Sequence, residues 1–188
     1  MPAEDPYLGQ GASTPYSARD NFGRFLWALV QETLFRWSPR TWHGFRARLL
    51  RAFGAHVPEP GKVVIFPTVT VIFPARLSLA PRSMVGPRVT LYNLAPITVC
   101  RGANISQNCH LCAGTHDYST WSMPLVARPI TVGENAWLGA DVFVGPGIMV
   151  GALSVVGARS VVVKDVPPST ISAGNPCRVI RERKAPLL

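Results

Sequence analysis

The sequence predicts an all-β chain folded as a parallel β-helix. An aliphatic residue recurs at every sixth position, usually followed by glycine, in the series Val132, Leu138, Val144, Val150, Val156 and Val162. Neither a helical period of 3.6 nor a strand period of 2 keeps residues at fixed places six apart, whereas short strands joined by tight corners do. We expect glycine there because a Cβ would crowd the corner or would need φ > 0. A hexapeptide repeat of this kind is typical of a parallel β-helix.

Weaker hexads precede this region from about Val63. They form three runs of three aliphatic positions, which begin at Ile65, Leu79 and Val99, and the frame slips by two residues between runs. Each run of three hexads corresponds to one triangular coil of about 18 residues. The sequence therefore predicts a β-helix over residues 61–170.

Ahead of the β-helix, we expect an extended arm over residues 1–20 and a helical region over residues 21–60. The arm is rich in Pro, Gly, Ser and Ala and has no periodicity. Apolar residues recur at helical spacing after it, and Asp20 or Asn21 is the expected N-cap. Ser38 is expected to cap a second helix, with Pro39 at its first position.

The second predicted helix is basic and amphipathic. Its arginines are Arg40, Arg46, Arg48 and Arg51. One interpretation is a peripheral contact with a membrane or with a lipid-linked substrate. The other is a helix packed on the β-helix with an arginine-rich face toward solvent. Aromatic residues alternate with these arginines, but no nucleic-acid-binding motif accompanies them, so we expect no nucleic acid partner.

The charge balance predicts an anionic partner. Lysine and arginine number 19 against 10 acidic residues, which gives a net charge of +9 over 188 residues. Nucleic acid, a phosphorylated small molecule and an acidic membrane face all fit this charge. The first ten residues, MPAEDPYLGQ, have acids where a signal peptide has basic residues, and no window approaches the roughly 20 apolar residues of a membrane span. We therefore expect a cytoplasmic location.

The repeat stops after His116 and resumes at Val132. The intervening residues are too many for a corner, so we expect a loop over 117–131 that protrudes from the coil. Loops on a rigid scaffold are where functional sites tend to be built. Residues 171–188 are expected to form a closing loop and a basic tail.

Four segments together carry a resemblance to a known family. They are NLAP (93–96), ISQNCHLCAGTHDYS (105–119), GARSVVVKDVPP (157–168) and AGNPCRVI (173–180). The chain resembles the hexapeptide-repeat acyltransferases, and is most similar to the colanic-acid-type polysaccharide biosynthesis O-acetyltransferases and the maltose and galactoside acetyltransferases. The resemblance implies a left-handed parallel β-helix, a homotrimer, and acetyl-CoA bound in the groove between neighbouring subunits.

The resemblance also implies the catalytic residues. His116 matches the family histidine that activates the acceptor hydroxyl. A hydroxyl that attacks a thioester must lose its proton, and imidazole accepts protons near neutral pH. Asp117 would orient the imidazole or shape the loop, and Asn93 would donate a hydrogen bond to the acceptor or the oxyanion.

The donor site is implied in the same way. Four small residues would leave room for the pantetheine arm of acetyl-CoA, namely Gly139, Ala140, Gly157 and Ala158. Trp137 would line the same groove near the acceptor. Lys164 and Arg178, together with Arg181, would meet the phosphates as cations.

The sequence predicts no metal site. His110 and His116 lie six residues apart, which places them on successive faces of a coil and not in a stack, and the other two histidines fall in the helical region. A third ligand for a zinc site is therefore missing. Cys109 and Cys112 occupy repeat positions of small residues, so we interpret both as scaffold thiols.

The predicted function is that of a homotrimeric, acetyl-CoA-dependent O-acetyltransferase. Its acceptor would be a saccharide, free or lipid-linked, in exopolysaccharide or surface-polysaccharide biosynthesis, at the inner face of the membrane if the basic helix binds there. Two alternatives stay open. One is an N-acyltransferase acting on an amino sugar, and the other is a non-catalytic β-helix that serves as an assembly platform.

Overall fold

The computed structural model describes residues 18–184 and confirms the predicted fold class. The chain forms a parallel β-solenoid of about five turns with a few short helices at its N-terminal end. Three sheets form the faces of a triangular prism, and the chain passes from face 1 to face 2 to face 3 in each turn. The arm predicted for residues 1–20 lies outside the described residues except for its last three, which belong to the first helix.

The strands are short and stack in register from coil to coil. Face 1 contains β1 (Val64–Ile65), β4 (Met84–Val85), β7 (Asn104–Ile105), β12 (Trp137–Leu138), β15 (Val155–Val156), β17 (Thr170–Ala173) and the antiparallel β18 (Arg178–Glu182). Face 2 contains β2 (Thr70–Val71), β5 (Thr90–Tyr92), β8 (His110–Cys112), β13 (Phe143–Val144) and β16 (Val161–Val162). Face 3 contains β3 (Leu77–Leu79), β6 (Ile97–Val99), β11 (Ile130–Val132) and β14 (Met149–Val150). A separate hairpin consists of β9 (Gly114–His116) and β10 (Leu125–Ala127).

The aliphatic hexad positions form the core, as the sequence predicted. Their side chains are buried and stack on their equivalents in the neighbouring coils, with about 1.5–3 kcal/mol expected for each fully buried aliphatic side chain. The two-residue slips of the frame lie in the first strands of face 3. There Leu77 and Leu79 both point inward, as do Ile97 and Val99 in the next coil, because these strands are three residues long.

Glycine follows the aliphatic position because the next coil comes very close. A Cβ on Gly133 would lie 2.6 Å from the backbone nitrogen of Ala152, and one on Gly139 would lie 2.8 Å from that of Ala158. At the corners, φ > 0 is found two positions later, and most of the residues there are not glycine. These corner residues are Arg82, Arg88, Gly102, Asn108, Asn135, Asp141, Gly147, Leu153, Arg159 and Ser169. Of the two reasons predicted for glycine, crowding is therefore the one that applies.

The N-terminal region contains two helices and three shorter helical turns. They are α1 (Ala18–Val30), a π-helical turn (Gln31–Phe35), α2 (His43–Ala52) and 3-10 turns at Pro60–Lys62 and Pro74–Arg76. Because α1 begins at Ala18, Asp20 and Asn21 lie inside it, and the prediction that either caps it is wrong. No helix among the described residues is both long and apolar enough to cross a bilayer.

The second helix starts later than predicted, and Ser38 does not cap it. Its hydroxyl donates to the Phe35 carbonyl at 2.7 Å and accepts a hydrogen bond from Arg46. Arg46 is fully buried and also donates to the backbone carbonyl of Ile65 at 2.7 Å, which ties α2 to the first coil. Arg46 is therefore not part of a solvent-facing basic surface. Burial lowers the pKa of its guanidinium.

Candidate active site

The predicted loop is a β-hairpin at the corner between faces 2 and 3, which we call the hairpin corner. Strand β9 pairs with β10 so that His116 lies opposite Leu125 and Gly114 lies opposite Ala127. The coil resumes at Ile130, two residues before the predicted Val132, because Ile130 pairs with Ile97 on face 3. His116 is therefore part of the protruding hairpin itself.

The hairpin fixes the orientation of the His116 ring. Its Nδ1 lies 2.6 Å from the Met123 carbonyl oxygen, which belongs to the turn of the hairpin. Because a carbonyl oxygen can only accept, Nδ1 carries the ring proton in the neutral histidine, and Nε2 keeps its lone pair. The side chain is exposed, so Nε2 is available as a base at the protein surface.

Asp117 does not orient the imidazole. Its Oδ1 accepts a hydrogen bond from the Ser119 backbone amide at 2.9 Å, and its own amide donates to the Pro124 carbonyl. Hydrogen bonds from Ser119 lower the pKa of its carboxyl group. Of the two roles predicted for Asp117, the structure supports shaping the loop, and the Met123 carbonyl contacts Nδ1 instead.

Asn93 lies inside the β-helix and cannot donate to an acceptor or an oxyanion. It is fully buried, and its Oδ1 accepts hydrogen bonds from the backbone amides of Ile72 and Phe73. Its Nδ2 donates to the Phe73 carbonyl at 2.6 Å. The side-chain amide of Asn93 holds the corner of the coil below and has no exposed surface. The predicted hydrogen bond from Asn93 to the acceptor or the oxyanion is therefore wrong.

A cavity of about 440 Å³ opens beside His116. It is lined by Thr115, His116, Asp117, Tyr118, Ser119, Val126, Arg128 and Pro146. The sequence analysis missed Arg128, which is exposed and forms no ion pair among the described residues. The sequence did contain an indication that Arg128 has a special role, because it is the only lysine or arginine between Arg101 and Arg159.

The predicted pantetheine-binding residues lie together at the corner between faces 1 and 2. Gly139 and Ala140 follow β12, and Gly157 and Ala158 follow β15 one coil higher, so the four residues form a column that we call the small-residue corner. Gly139 is buried, whereas Ala158 is exposed. A Cβ on Gly157 would lie 2.8 Å from the Cβ of Ala173 in the coil above. The glycines thus bring the coils together, and the alanines form the surface.

Trp137 and Arg178 lie beside this column. Trp137 is half exposed, and its indole Nε1 donates to the Ser106 hydroxyl at 2.9 Å in the coil below. Arg178 pairs with Ala173 at the top of face 1 and is exposed. Arg181, on the same terminal strand, is also exposed. The structure therefore gathers these predicted donor-site residues at one corner.

Lys164 lies at the other corner. Strand β16 pairs with β13 so that Val161 lies opposite Phe143, and Lys164 follows three residues later, level with Pro146 of the cavity. It is exposed and belongs to the hairpin corner with His116. The chain crosses face 2 from one corner to the other in six steps from Ala140 to Pro146, on the order of 15–20 Å at about 3.3 Å per step. One chain therefore does not bring His116 and Lys164 to the small-residue corner.

The two cysteines interpreted as scaffold thiols have no exposed, activated sulfur. Cys109 is fully buried, and its Sγ donates to the Gly139 carbonyl at 3.0 Å. Burial raises its pKa to about 11, so the thiol stays protonated at neutral pH. Cys112 donates to the Gly114 carbonyl.

His110 belongs to an aromatic row on face 2, away from the His116 cavity. Its ring contacts those of Tyr92 and Phe143 edge to face, and desolvation lowers its pKa. Within residues 18–184, no three His, Cys, Asp or Glu side chains are placed to hold a metal ion together.

Known proteins share sequence and fold with this chain. No family model matches the chain. The chain is 46% identical over 158 residues to a protein of Escherichia coli named colanic acid biosynthesis acetyltransferase WcaF, and the match covers 84% of this chain and 86% of that protein. A shorter stretch of 54 residues is 56% identical to the galactoside O-acetyltransferase of Escherichia coli, which covers 29% of this chain and 27% of the enzyme.

A solved structure is similar over nearly the whole chain. It is a hexapeptide-repeat acetyltransferase of Vibrio cholerae in complex with acetyl coenzyme A, with a TM-score of 0.79 and 25% sequence identity. The match covers 94% of this chain and 93% of that protein. The match is therefore longer than the β-helix alone.

Proposed function

Because the chain belongs to the hexapeptide-repeat acetyltransferases, we propose that it transfers acetyl from acetyl-CoA to a hydroxyl of a saccharide in surface-polysaccharide biosynthesis. The observation that carries the proposal is the exposed His116, whose Nδ1 faces the Met123 carbonyl and whose side chain lines the cavity. The colanic acid name of the 46% identical relative supports the saccharide acceptor.

The reaction we propose is direct transfer in a ternary complex. The acceptor hydroxyl gives its proton to Nε2 of His116 as its oxygen attacks the carbonyl carbon of the acetyl thioester. The carbon–sulfur bond then breaks, and the imidazolium returns the proton to the sulfur, so that coenzyme A leaves as a thiol. The Met123 carbonyl stabilises the imidazolium through the Nδ1 hydrogen bond. No cysteine carries the acetyl group, consistent with the raised pKa of Cys109.

We propose that the site is completed by a neighbouring subunit of a homotrimer. Reacting atoms must approach to about 3–3.5 Å, whereas the two corners of one chain are separated by the width of face 2. In the trimer, the hairpin corner of one subunit would lie against the small-residue corner of the next. The first subunit would supply His116 and Lys164, and its neighbour would supply Trp137 and the small-residue column.

The donor would lie along this groove. Ala140 and Ala158 present no side chain beyond a Cβ, which leaves room for the pantetheine arm. Lys164 from one subunit and Arg178 from the other would meet the phosphates, because exposed cations on both walls favour an anionic ligand. Arg128 lines the cavity beside His116, where the acceptor hydroxyl would lie in the proposed reaction. We therefore assign Arg128 to acceptor binding.

Calorimetric titration with acetyl-CoA tests the donor site without knowledge of the acceptor. We expect saturable binding of one molecule per subunit, weakened about tenfold by Lys164→Ala, which corresponds to the loss of one charge-assisted contact. Lys62→Ala is the matched control, because Lys62 is an exposed lysine paired with Glu59 before the first coil. An equal effect of both substitutions would remove Lys164 from the donor site, and no binding at all would overturn the proposed donor.

An acceptor panel then tests the type of transfer. Release of coenzyme A with hydroxyl sugars, and product masses increased by one acetyl group, would support O-acetylation. Transfer confined to amino sugars would support the alternative N-acyltransferase. The lipid link of the acceptor stays a prediction.

A further inference from the structure

The N-terminal helical region exposes an unusual concentration of large apolar side chains. Each of them is more than half exposed, and they are Phe22, Phe25, Leu29, Leu34, Trp37 and Trp42. We call this set the N-terminal apolar surface. It belongs mainly to α1 and the turns after it, not to the basic helix α2, for which a membrane contact was one of two interpretations of the sequence.

The exposure follows from how α1 packs on the β-helix. Trp27 is buried, and its indole Nε1 donates to the Val71 carbonyl at 2.7 Å, while the Gln31 side chain accepts from the Val71 amide. This face of α1 is therefore packed against the first coil and hydrogen-bonded to it. Phe22, Phe25 and Leu29 are spaced three and four residues apart, so they form a second apolar stripe on one side of the helix.

A groove continues this surface beyond α1. It is an apolar cavity of about 360 Å³, open to solvent and lined by Thr33, Leu34, Trp37, Ser38, Pro39, Trp42 and Phe45. Trp37 is the most exposed large apolar side chain of the region, at 84%. Contiguous apolar patches of this kind mark interaction sites in soluble proteins.

The charge around the surface indicates which partner fits. Residues 22–62 contain seven Arg or Lys and two Glu, a net charge of +5 out of +9 for the whole chain. Both glutamates are already in ion pairs, Glu32 with Arg36 and Glu59 with Lys62. Arg40, Arg48 and Arg51 are exposed, and no carboxylate among the described residues lies within ion-pair distance of them.

We propose that the N-terminal apolar surface docks onto an anionic lipid bilayer. Tryptophan favours the membrane–water interface, and exposed arginines beside apolar side chains add attraction to anionic headgroups. A second copy of the chain fits less well, because a symmetric contact would place two like-charged surfaces against each other. Residues 1–17 contain four large apolar residues, Met1, Tyr7, Leu8 and Tyr16, which is fewer than the six exposed side chains of the surface.

Cosedimentation of the full-length protein with vesicles tests this proposal. Vesicles of pure phosphatidylcholine are compared with vesicles that contain phosphatidylglycerol, at low and high salt. We expect at least about tenfold tighter binding to the anionic vesicles, a loss of this preference at high salt, and a blue shift of tryptophan emission. Trp37→Ser combined with Trp42→Ser is expected to weaken binding at least about tenfold, because two exposed indoles no longer enter the membrane interface.

Two controls keep the test specific. Ile180→Ser removes an equally exposed apolar side chain from the opposite end of the molecule and is expected to change vesicle binding less than about twofold. Circular dichroism and light scattering on the double variant verify that fold and assembly persist. Absence of vesicle binding, equal effects of the Trp and Ile180 variants, or loss of the native assembly in the double variant would each overturn the proposal. The last outcome would show that another copy of the chain covers the surface.

Discussion

The two corners at the ends of face 2 are built in opposite ways. The small-residue corner is the β-helix at its most regular, where Gly139 and Gly157 bring successive coils into contact and the alanines beside them form the surface. The hairpin corner is where the repeat is interrupted, and the chain leaves the coil through β9 and returns through β10. This interruption of the repeat is what places His116 at the hairpin corner.

This difference separates two tasks. A regular column of small residues provides room for a long, flexible donor but contains no acid or base. An inserted hairpin can orient an imidazole, because its turn brings the Met123 carbonyl to Nδ1. In the proposed trimer, both features would recur on every subunit at opposite ends of one face, and the symmetric assembly would complete the site by placing them against each other.

The largest effect is expected at the hairpin corner. His116→Ala should lower turnover by about 10²-fold or more, because the proposed mechanism loses the imidazole that accepts the hydroxyl proton. Acetyl-CoA affinity by calorimetry and the assembly state by light scattering should stay unchanged. Near-normal turnover in a correctly assembled variant would remove His116 from the role of base.

At the small-residue corner, the fold and donor binding can be separated by two substitutions. Ala158→Leu places a large side chain on the exposed surface, so we expect about tenfold weaker acetyl-CoA binding with unfolding free energy within about 0.5 kcal/mol of the native chain. Gly139→Ala forces a Cβ to within 2.8 Å of the Ala158 nitrogen and should destabilise the fold by about 1–3 kcal/mol.

Gly145→Ala is the control for the glycine substitution. Gly145 holds the same repeat position, but its nearest neighbour would be the Val162 carbonyl oxygen at 3.4 Å, an ordinary contact. We expect its stability in chemical denaturation to be unchanged or slightly raised, since alanine restricts the unfolded chain. If Gly139→Ala and Gly145→Ala had equal effects, close approach of the coils would not explain the glycines.

The smallest effect is expected for Asp117→Asn. The carboxylate shapes the turn through Ser119 and does not contact the imidazole, so turnover should stay within about threefold of the native enzyme. Hydrogen bonds from Ser119 lower the pKa of Asp117 below its usual value of 3.8, so the interaction is present above that pH and is lost as the pH falls through the lowered pKa. Between pH 5 and 8, the pH–rate profile should therefore not change. A shifted pH–rate profile would show that Asp117 takes part in catalysis after all.

The β-helix could be predicted because its core repeats in the sequence. The inward position that recurs every six residues is aliphatic, so the coils can be recognised from Ile65 to Val162 without any structural information. The backbone conformation of the corners was not visible, because the residues with φ > 0 include arginines, an aspartate and Leu153. The burial of Arg46 was hidden for a similar reason, since its partners are mostly backbone carbonyls.

The site was predictable only where residue type decides the chemistry. His116 and the small-residue column could be recognised from their motifs, and the structure places them at definite corners. The Met123 carbonyl has no signature in the sequence, because any residue at that point of the turn supplies the same atom. The burial of Asn93 depends on the path of the coil below it, which a motif does not specify.

The most direct test of the two-corner account uses mixed trimers. Chains with His116→Ala and chains with Ala158→Trp are coexpressed with different tags, and assemblies that carry both tags are purified. Each variant alone should be nearly inactive, but every mixed trimer contains one site in which an intact His116 lies against an intact small-residue corner. We predict about one third of native turnover for the mixed trimers. Activity no higher than that of the two separate variants would contradict a site shared between subunits.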